Sequence, residues 1–243
     1  MKPIRVLITR EKKSAEGTAK AVRELGHIPI ILPLFEVIDT GTDFPKLDFD
    51  GIIFTSRNAV EIFVERATNP ANFALTAYCV GETTAQLAKE CGFQKLVTGT
   101  GGGAKLAEKM LSDHELAGKN LAYPTTSDRS FDMAEALAKG RIIVTTIEIY
   151  QVQILEPQLV DLQRIIESET PECAFIFSQN SGRHLCNTIA RLENKALFRQ
   201  MSALAISDKA ATQVLSYPWR NVYVAKEPSE AAMLKQLQEL SLA

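Results

Sequence analysis

No apolar run in the sequence approaches the roughly 18 residues that a membrane-spanning helix requires, so no membrane partner is expected. Lys and Arg number 27 against 29 Asp and Glu, leaving a net charge of −2. There is no basic excess to neutralise a run of phosphates, and nucleic acid is not an expected partner either. Cysteine is sparse: Cys79, Cys91, Cys173 and Cys186 show no C-x-x-C spacing. A chain of 243 residues buries an adequate core without disulfides, and these read as reduced, mostly core thiols. The three histidines, His27, His114 and His184, are scattered, and none has a second ligand at metal-binding spacing. Neither a G-x-S-x-G elbow nor a G-x-x-x-x-G-K-[ST] phosphate loop occurs, which disfavours nucleophilic hydrolase chemistry. The opening Met1-Lys2-Pro3-Ile4-Arg5 leads straight into a strand-like segment without a secretory apolar region, so a cytoplasmic location is expected.

What is present is rhythm. Short runs rich in Val, Ile, Leu and Phe alternate with amphipathic stretches almost from end to end, as in Ile4 to Thr9, Ser14 to Leu25 and Ile28 to Leu32. That alternation predicts parallel sheets covered by helices. Further strands are expected at 51–55, 76–80, 95–98, 120–123, 141–150, 172–178, 203–206 and 221–224. Helices are expected at 58–66, 84–91, 104–111, 131–139, 181–192, 209–215 and 229–240. So many strands exceed what one small sheet usually carries, and two sheets are expected. An internal echo agrees: Ile53-Phe54-Thr55-Ser56-Arg57-Asn58 reads like Phe175-Ile176-Phe177-Ser178-Gln179-Asn180. Val80 to Ala85 likewise matches Ile206 to Ala211, and Arg5 to Thr9 matches Asn120 to Pro124. The pattern leaves open whether the first β-α-β unit joins the domain beside it or the one at the far end. Phe35 to Thr40 and Ile147 to Val152 are strand-like but outside the rhythm. With the polar stretches 41–50 and 156–171 they are the candidate connections between domains.

In open parallel sheets, ligands bind beyond the carboxyl ends of the strands, where helix N-termini present unpaired N–H groups. Four turns of that kind are short and polar: Thr55-Ser56-Arg57-Asn58, Gly81-Glu82-Thr83-Thr84, Phe177 to Gly182 and Ser207-Asp208-Lys209. They suit a ligand carrying many carboxylates in a cleft between two domains. Taken singly, each also reads as a helix cap, with Asn58/Glu61 and Thr83/Gln86 at capping-box-like spacing. Arg10, Arg57, Arg129 and Arg183 stand just past strand ends, where a guanidinium takes a carboxylate bidentately. Tyr150 ends a strand and is placed to act as a proton donor; a tyrosine anchoring a linker is the plainer reading. Gly99-Thr100-Gly101-Gly102-Gly103-Ala104 fits the G-x-G-x-x-[GA] dinucleotide fingerprint. The next strand, however, ends in Pro124-Thr125-Thr126 rather than in the acidic residue that holds a ribose.

Val6-Leu7-Ile8-Thr9-Arg10, Thr55 to Glu61, Val80 to Ala85, Ile147-Glu148-Ile149-Tyr150 and Phe177 to Gly182 follow one another in an order and spacing that resemble the uroporphyrinogen-III synthase family over essentially the whole chain. That resemblance implies two Rossmann-like (flavodoxin-like) α/β domains joined by a two-stranded β linker. Residues 1–35 and 170–243 would form a discontinuous domain, 50–146 an inserted one, and 36–49 and 147–169 the linkers. It implies closure of the linear tetrapyrrole hydroxymethylbilane to uroporphyrinogen III, with inversion of ring D and loss of water, without metal or organic cofactor. A monomer in transient contact with the preceding deaminase is the expected state. Tyr150 becomes the general-acid candidate. Arg10, Ser56, Arg57, Asn58, Thr83, Thr84, Arg129, Ser178, Asn180, Ser181, Ser207 and Lys209 become the substrate contacts. The chain departs from the family at Ser207-Asp208-Lys209-Ala210-Ala211, where a hydroxyl is expected near 210; either Ser207 or Lys209 replaces it or the contact is dispensable. Two other readings are carried. A nicotinamide oxidoreductase predicts fluorescence quenching by micromolar dinucleotide, and a two-domain small-ligand receptor predicts binding without turnover.

Overall fold

The computed structural model describes residues 2–45, 48–67, 69–129, 131–156, 159–192 and 196–242, without the side chains of residues 161 and 197. Positions 46–47 and 157–158 of the expected connections lie outside the described residues. The chain opens with β1 (Arg5–Ile8), α1 (Lys12–Glu24), β2 (Ile28–Ile31) and β3 (Phe35–Asp39). It continues through β4 (Gly51–Phe54), α2 (Arg57–Arg66), β5 (Thr76–Val80), α3 (Glu82–Glu90), β6 (Lys95–Gly99), α4 (Gly103–Leu111), β7 (Asn120–Thr126), α5 (Met133–Ala138) and β8 (Ile143–Ile154). The last third holds α6 (Leu159–Glu169), β9 (Cys173–Ile176), α7 (Gln179–Ala190), α8 (Ala196–Gln200), β10 (Ser202–Ala205), α9 (Asp208–Ala211), β11 (Val222–Val224) and α10 (Glu230–Leu242).

The chain divides into two compact units, residues 1–36 with 153–243, and 37–152. In the first unit a five-stranded sheet runs β11-β10-β9-β1-β2, and all its pairs are parallel. Counted within the unit this is the 2-1-3-4-5 order of flavodoxin-like sheets, with the order reversing between β1 and β9. One core lies on each face: Leu7, Ile30, Ile176 and Ala205 pack with α6 and α7 on one side, Val6, Ile8, Phe175 and Leu204 with α1 and α10 on the other. Helix α1 shows why the pattern works, since Ala15, Thr18, Ala19 and Val22 form its buried stripe at helical spacing.

In the second unit a six-stranded sheet runs β3-β8-β7-β4-β5-β6. Without β3 this is the 3-2-1-4-5 Rossmann order, reversing between β4 and β7. At the edge, Leu155 N–H donates to Leu34 O and Thr40 N–H to Ile149 O, so β3 runs antiparallel to β8. These two neighbouring strands are also where the chain passes from one unit to the other. Phe54 on β4, Phe63 on α2 and Phe93 interlock, with ring centroids 5.6, 5.4 and 6.0 Å apart. Each such pair adds about 0.5–1.5 kcal/mol beyond burial, which anchors α2 over the end of β4.

Three stretches differ from expectation. The polar segment 156–171 contains α6, because Arg164, Glu167 and Glu169 face outward while Leu162 and Ile166 reach the core with Leu159 and Ile165 against it. Residues 147–152 are not separate from the strand before them, since β8 is continuous for 12 residues. The helix expected at 209–215 stops at Ala211; three-residue bonds from Val214 N–H to Ala211 O and Tyr217 N–H to Val214 O replace it, and Pro218 follows.

Candidate functional site

Both places where strand order reverses carry residues singled out in the sequence. In the second unit, β4 ends at Phe54 and the chain turns through Thr55 and Ser56 into α2. Ser56 is extended (φ −150°, ψ 157°), and its hydroxyl accepts from Ala59 N–H at 3.1 Å. This makes Ser56 the N-cap, and the Asn58/Glu61 spacing is not the capping box. The same Ser56 Oγ shares a 2.9 Å hydrogen bond with the Tyr150 hydroxyl from β8. Beside it, Thr55 Oγ1 and the Tyr123 hydroxyl of β7 lie 3.3 Å apart. Tyr150 is 5% exposed and Tyr123 2%. Burial raises the Tyr150 phenol above its ordinary range, the Ser56 hydrogen bond draws it partly back, and Tyr123 adds to the rise. At neutral pH Tyr150 is therefore a protonated phenol held at one end by a serine.

Tyr150 reaches this place through an irregularity. Along β7 and β8 the register is regular up to Thr125 opposite Glu148, and then Thr126 stands opposite Tyr150. One extra residue, Ile149, is thus inserted in β8. Ile147, Ile149 and Tyr150 all join the core cluster beneath α2. Strict alternation would have sent Tyr150 to the opposite face; a bulge re-aims it.

Arg57 is exposed, and with Thr83 it lines a pocket of about 410 Å³ that also meets Glu82, Gln86 and Glu90. Helix α3 starts after Gly81 (φ 79°) without a side-chain cap, so the Thr83/Gln86 spacing does not cap it either. Thr84 is buried at the start of the same helix. Arg129 is already engaged, through Nη1 to Glu148 Oε1 at 3.2 Å and to Thr126 O at 3.4 Å.

In the first unit, Arg10 follows β1. Its guanidinium lies 4.1 Å from the Phe177 ring centroid and binds Glu230 Oε2 at 2.8 Å and Thr18 Oγ1 at 3.2 Å. A substrate carboxylate at Arg10 or Arg129 would share the guanidinium with a resident glutamate. Ser178 and Ser181 form a reciprocal capping box at the start of α7, while Asn180 accepts from Arg183 at 3.3 Å. Ser207 caps α9 through Ala210 N–H at 3.3 Å. Ala210 itself is buried in the core at 2% exposure, so the family hydroxyl would have to stand in a packed position here. Lys209 is exposed.

Sequence reasoning ended strands at Thr9 and Tyr123 but did not single out Tyr123, Thr126 or Thr9 as candidate site residues. Thr9 is fully buried after β1, and neither its hydroxyl nor that of Thr126 has a hydrogen-bond partner among the described residues. The legible signal was the threonine pair after Tyr123-Pro124, polar residues at the end of an otherwise apolar strand. The glycine loop has a structural explanation instead. A Cβ on Gly99 would lie 2.8 Å from Leu106 Cα, one on Gly103 2.8 Å from the Phe131 ring, and Gly101 and Gly102 have φ of 96° and 92°. The loop follows β6, at the sheet edge, whereas the dinucleotide fingerprint belongs to the first strand beside the reversal. Among the described residues no group of three or more His, Cys, Asp or Glu is placed to hold a metal, and no helix is long and apolar enough to cross a membrane.

The fold is that of known structures. Uroporphyrinogen-III synthetase from Helicobacter pylori 26695 aligns over 100% of both chains at 20% identity and a TM-score of 0.65. A mutant uroporphyrinogen III synthase from the extremely thermophilic bacterium Thermus thermophilus aligns over 99% of this chain and 100% of that one, at 15% identity and a TM-score of 0.59. No curated protein sequence matches. The family model described as uroporphyrinogen-III synthase HemD matches residues 16–235. That span runs through both units and takes in the Ser56–Tyr150 pair, the strand-order reversal of the second unit and every turn discussed above except the one after β1. The chain belongs to the uroporphyrinogen-III synthase family.

Proposed function

We propose that this chain closes hydroxymethylbilane to uroporphyrinogen III, inverting ring D with loss of water, and that Tyr150 is the proton donor to the departing hydroxyl. Family membership supplies the reaction. One observation carries the residue assignment: a buried phenol, kept protonated by burial and held 2.9 Å from the capping serine of α2, beyond the carboxyl end of β4. Protonation of the terminal hydroxyl releases water and leaves an azafulvene-type cation. Attack through the substituted carbon of ring D gives a spiro intermediate; its fragmentation and closure the other way round release one proton, which restores the acid. Donor and product protons balance, and water is the net loss.

The enzyme's larger task in this reading is geometric, because closure without inversion yields the I isomer. The contacts proposed for the eight carboxylates and the pyrroles lie on both units: Arg10, Ser178, Asn180, Ser181, Ser207 and Lys209 on the first, and Ser56, Arg57, Asn58, Thr83, Thr84 and Arg129 on the second. Hydroxyls, free helix N–H groups and a few guanidiniums support a polyanionic ligand at a net charge of only −2. The same reading makes the enzyme a cytoplasmic monomer, without metal or organic cofactor, that meets the preceding deaminase transiently. Its test is to supply freshly generated hydroxymethylbilane, oxidise the products and separate uroporphyrins I and III by chromatography beside a protein-free control. Predominantly III is expected; only I at the control rate overturns the proposal.

A further inference from the structure

We infer that Thr126 is a positioning residue for the cyclisation, its hydroxyl taking a hydrogen bond from the bound bilane beside Tyr150. The inference rests on the proposed function and adds to it a residue on another strand. Thr126 is the last residue of β7, 8% exposed, and its Oγ1 has no hydrogen-bond partner among the described residues. Leaving a buried hydroxyl unmet is costly, and such exceptions in folded proteins call for a reason. Thr126 stands opposite Tyr150 at the step where the extra residue enters β8. Residues opposite one another on neighbouring strands project to the same face, so the unmet hydroxyl flanks the phenol whose far end Ser56 holds.

The surroundings of Thr126 are fixed by other contacts. Its carbonyl accepts from Arg129, which Glu148 binds in turn. The main chain at 126 is thus tied down while the side-chain hydroxyl is left over. A packing role needs only the shape of the side chain, which valine supplies. A hydroxyl retained there fits a ligand with both pyrrole N–H donors and carboxylate acceptors.

The test compares Thr126→Val and Thr126→Ser with the wild type in the bilane assay, together with thermal unfolding. Thr126→Val is expected to lower kcat/KM about tenfold and to reduce the fraction of isomer III, while its unfolding midpoint stays level or rises. Thr126→Ser, which keeps the hydroxyl, is expected to recover to within about threefold of wild type. A Thr126→Val enzyme within twofold of wild type in kcat/KM and isomer ratio overturns the inference. So does a midpoint lowered by several degrees in Thr126→Val, which would mean that the hydroxyl is already bonded in the free protein. Failure of the wild type itself to make isomer III would instead overturn the proposed function.

Discussion

Replacing Tyr150 by Phe removes one oxygen from the centre of the candidate site and leaves the ring in place. The ring belongs to the buried core cluster that also holds Ile52, Phe54, Ala59 and Ile149, so the core loses almost no volume. Stability loses at most the shared hydrogen bond to Ser56, worth about 0.5–1.5 kcal/mol net. The Ser56 oxygen remains bonded to Ala59 N–H, which keeps the loss near the low end. For a chain of this size that is a fall of about 2–4 °C per kcal/mol in the unfolding midpoint. Loss of a general acid typically costs about 10²–10⁴ in rate. Binding and geometry carry part of the work in this reaction, and the expected fall in turnover is at least tenfold, or about 1.4 kcal/mol of barrier. The assay is single-turnover or steady-state formation of uroporphyrinogen III from fresh hydroxymethylbilane, with isomers separated after oxidation. A variant with unchanged stability and a rate within twofold of wild type refutes the assignment and moves the proton donor elsewhere. The pH dependence supplies a second check. Burial shifts the phenol upward, so no loss of rate from Tyr150 ionisation is expected anywhere below pH ~10.

Ser56→Ala removes the cap of α2, about 1 kcal/mol, and also leaves the buried Tyr150 hydroxyl unmatched, about 1–3 kcal/mol more. It should therefore destabilise more than Ser207→Ala, which removes a cap alone; equal urea midpoints would contradict the Ser56–Tyr150 bond. His27 is 3% exposed, its Nδ1 accepts from Ile4 N–H at 3.2 Å, and its Nε2 has no partner among the described residues. Burial lowers its pKa below 6.5, so the unfolded chain binds the proton more readily. The stability owed to neutral His27 is whole above pH ~6.5 and declines as the pH falls toward the folded-state value. Thermal unfolding of His27→Gln should accordingly depend less on pH between about 5 and 7 than that of wild type, and parallel curves would exclude His27 as the source. Burial pushes the Cys79, Cys173 and Cys186 thiols up to about 12. Under native conditions at about pH 8 a thiol reagent should label Cys91 first, with the other three reacting only on unfolding; rapid labelling of two or more sites would show that these cores open.

Periodicity made most of this fold readable. Apolar runs such as Val6-Leu7-Ile8 and Phe175-Ile176 have to be buried on both faces, and the amphipathic stretches between them have one stripe to hide, so alternating strands and helices follow from local chemistry. The repeated Ser-capped turns after β4 and β9 were legible for the same reason, because a serine that ends extended backbone before a helix makes its capping bond within three residues. Helix α6 was obscured by its charges; only its packing against β9 and β2 distinguishes Leu162 and Ile166 from loop residues. The same composition that hides it would suit a linker.

Strand order was beyond local pattern. Nothing in the first β-α-β unit says that β1 pairs with β9, across more than 160 residues, rather than with β4; hydrogen-bonding partners at that distance are chosen by the whole core. The site follows the same division. That serines, threonines and arginines would gather at strand ends was determined by the sequence. Which of them are free was decided by tertiary contacts, with Arg10 taken by Glu230 and Arg129 by Glu148. The meeting of Ser56 with Tyr150, 94 positions later, depends on a single extra residue in β8. A side-chain period of two makes that one residue enough to choose the face on which the Tyr150 phenol stands.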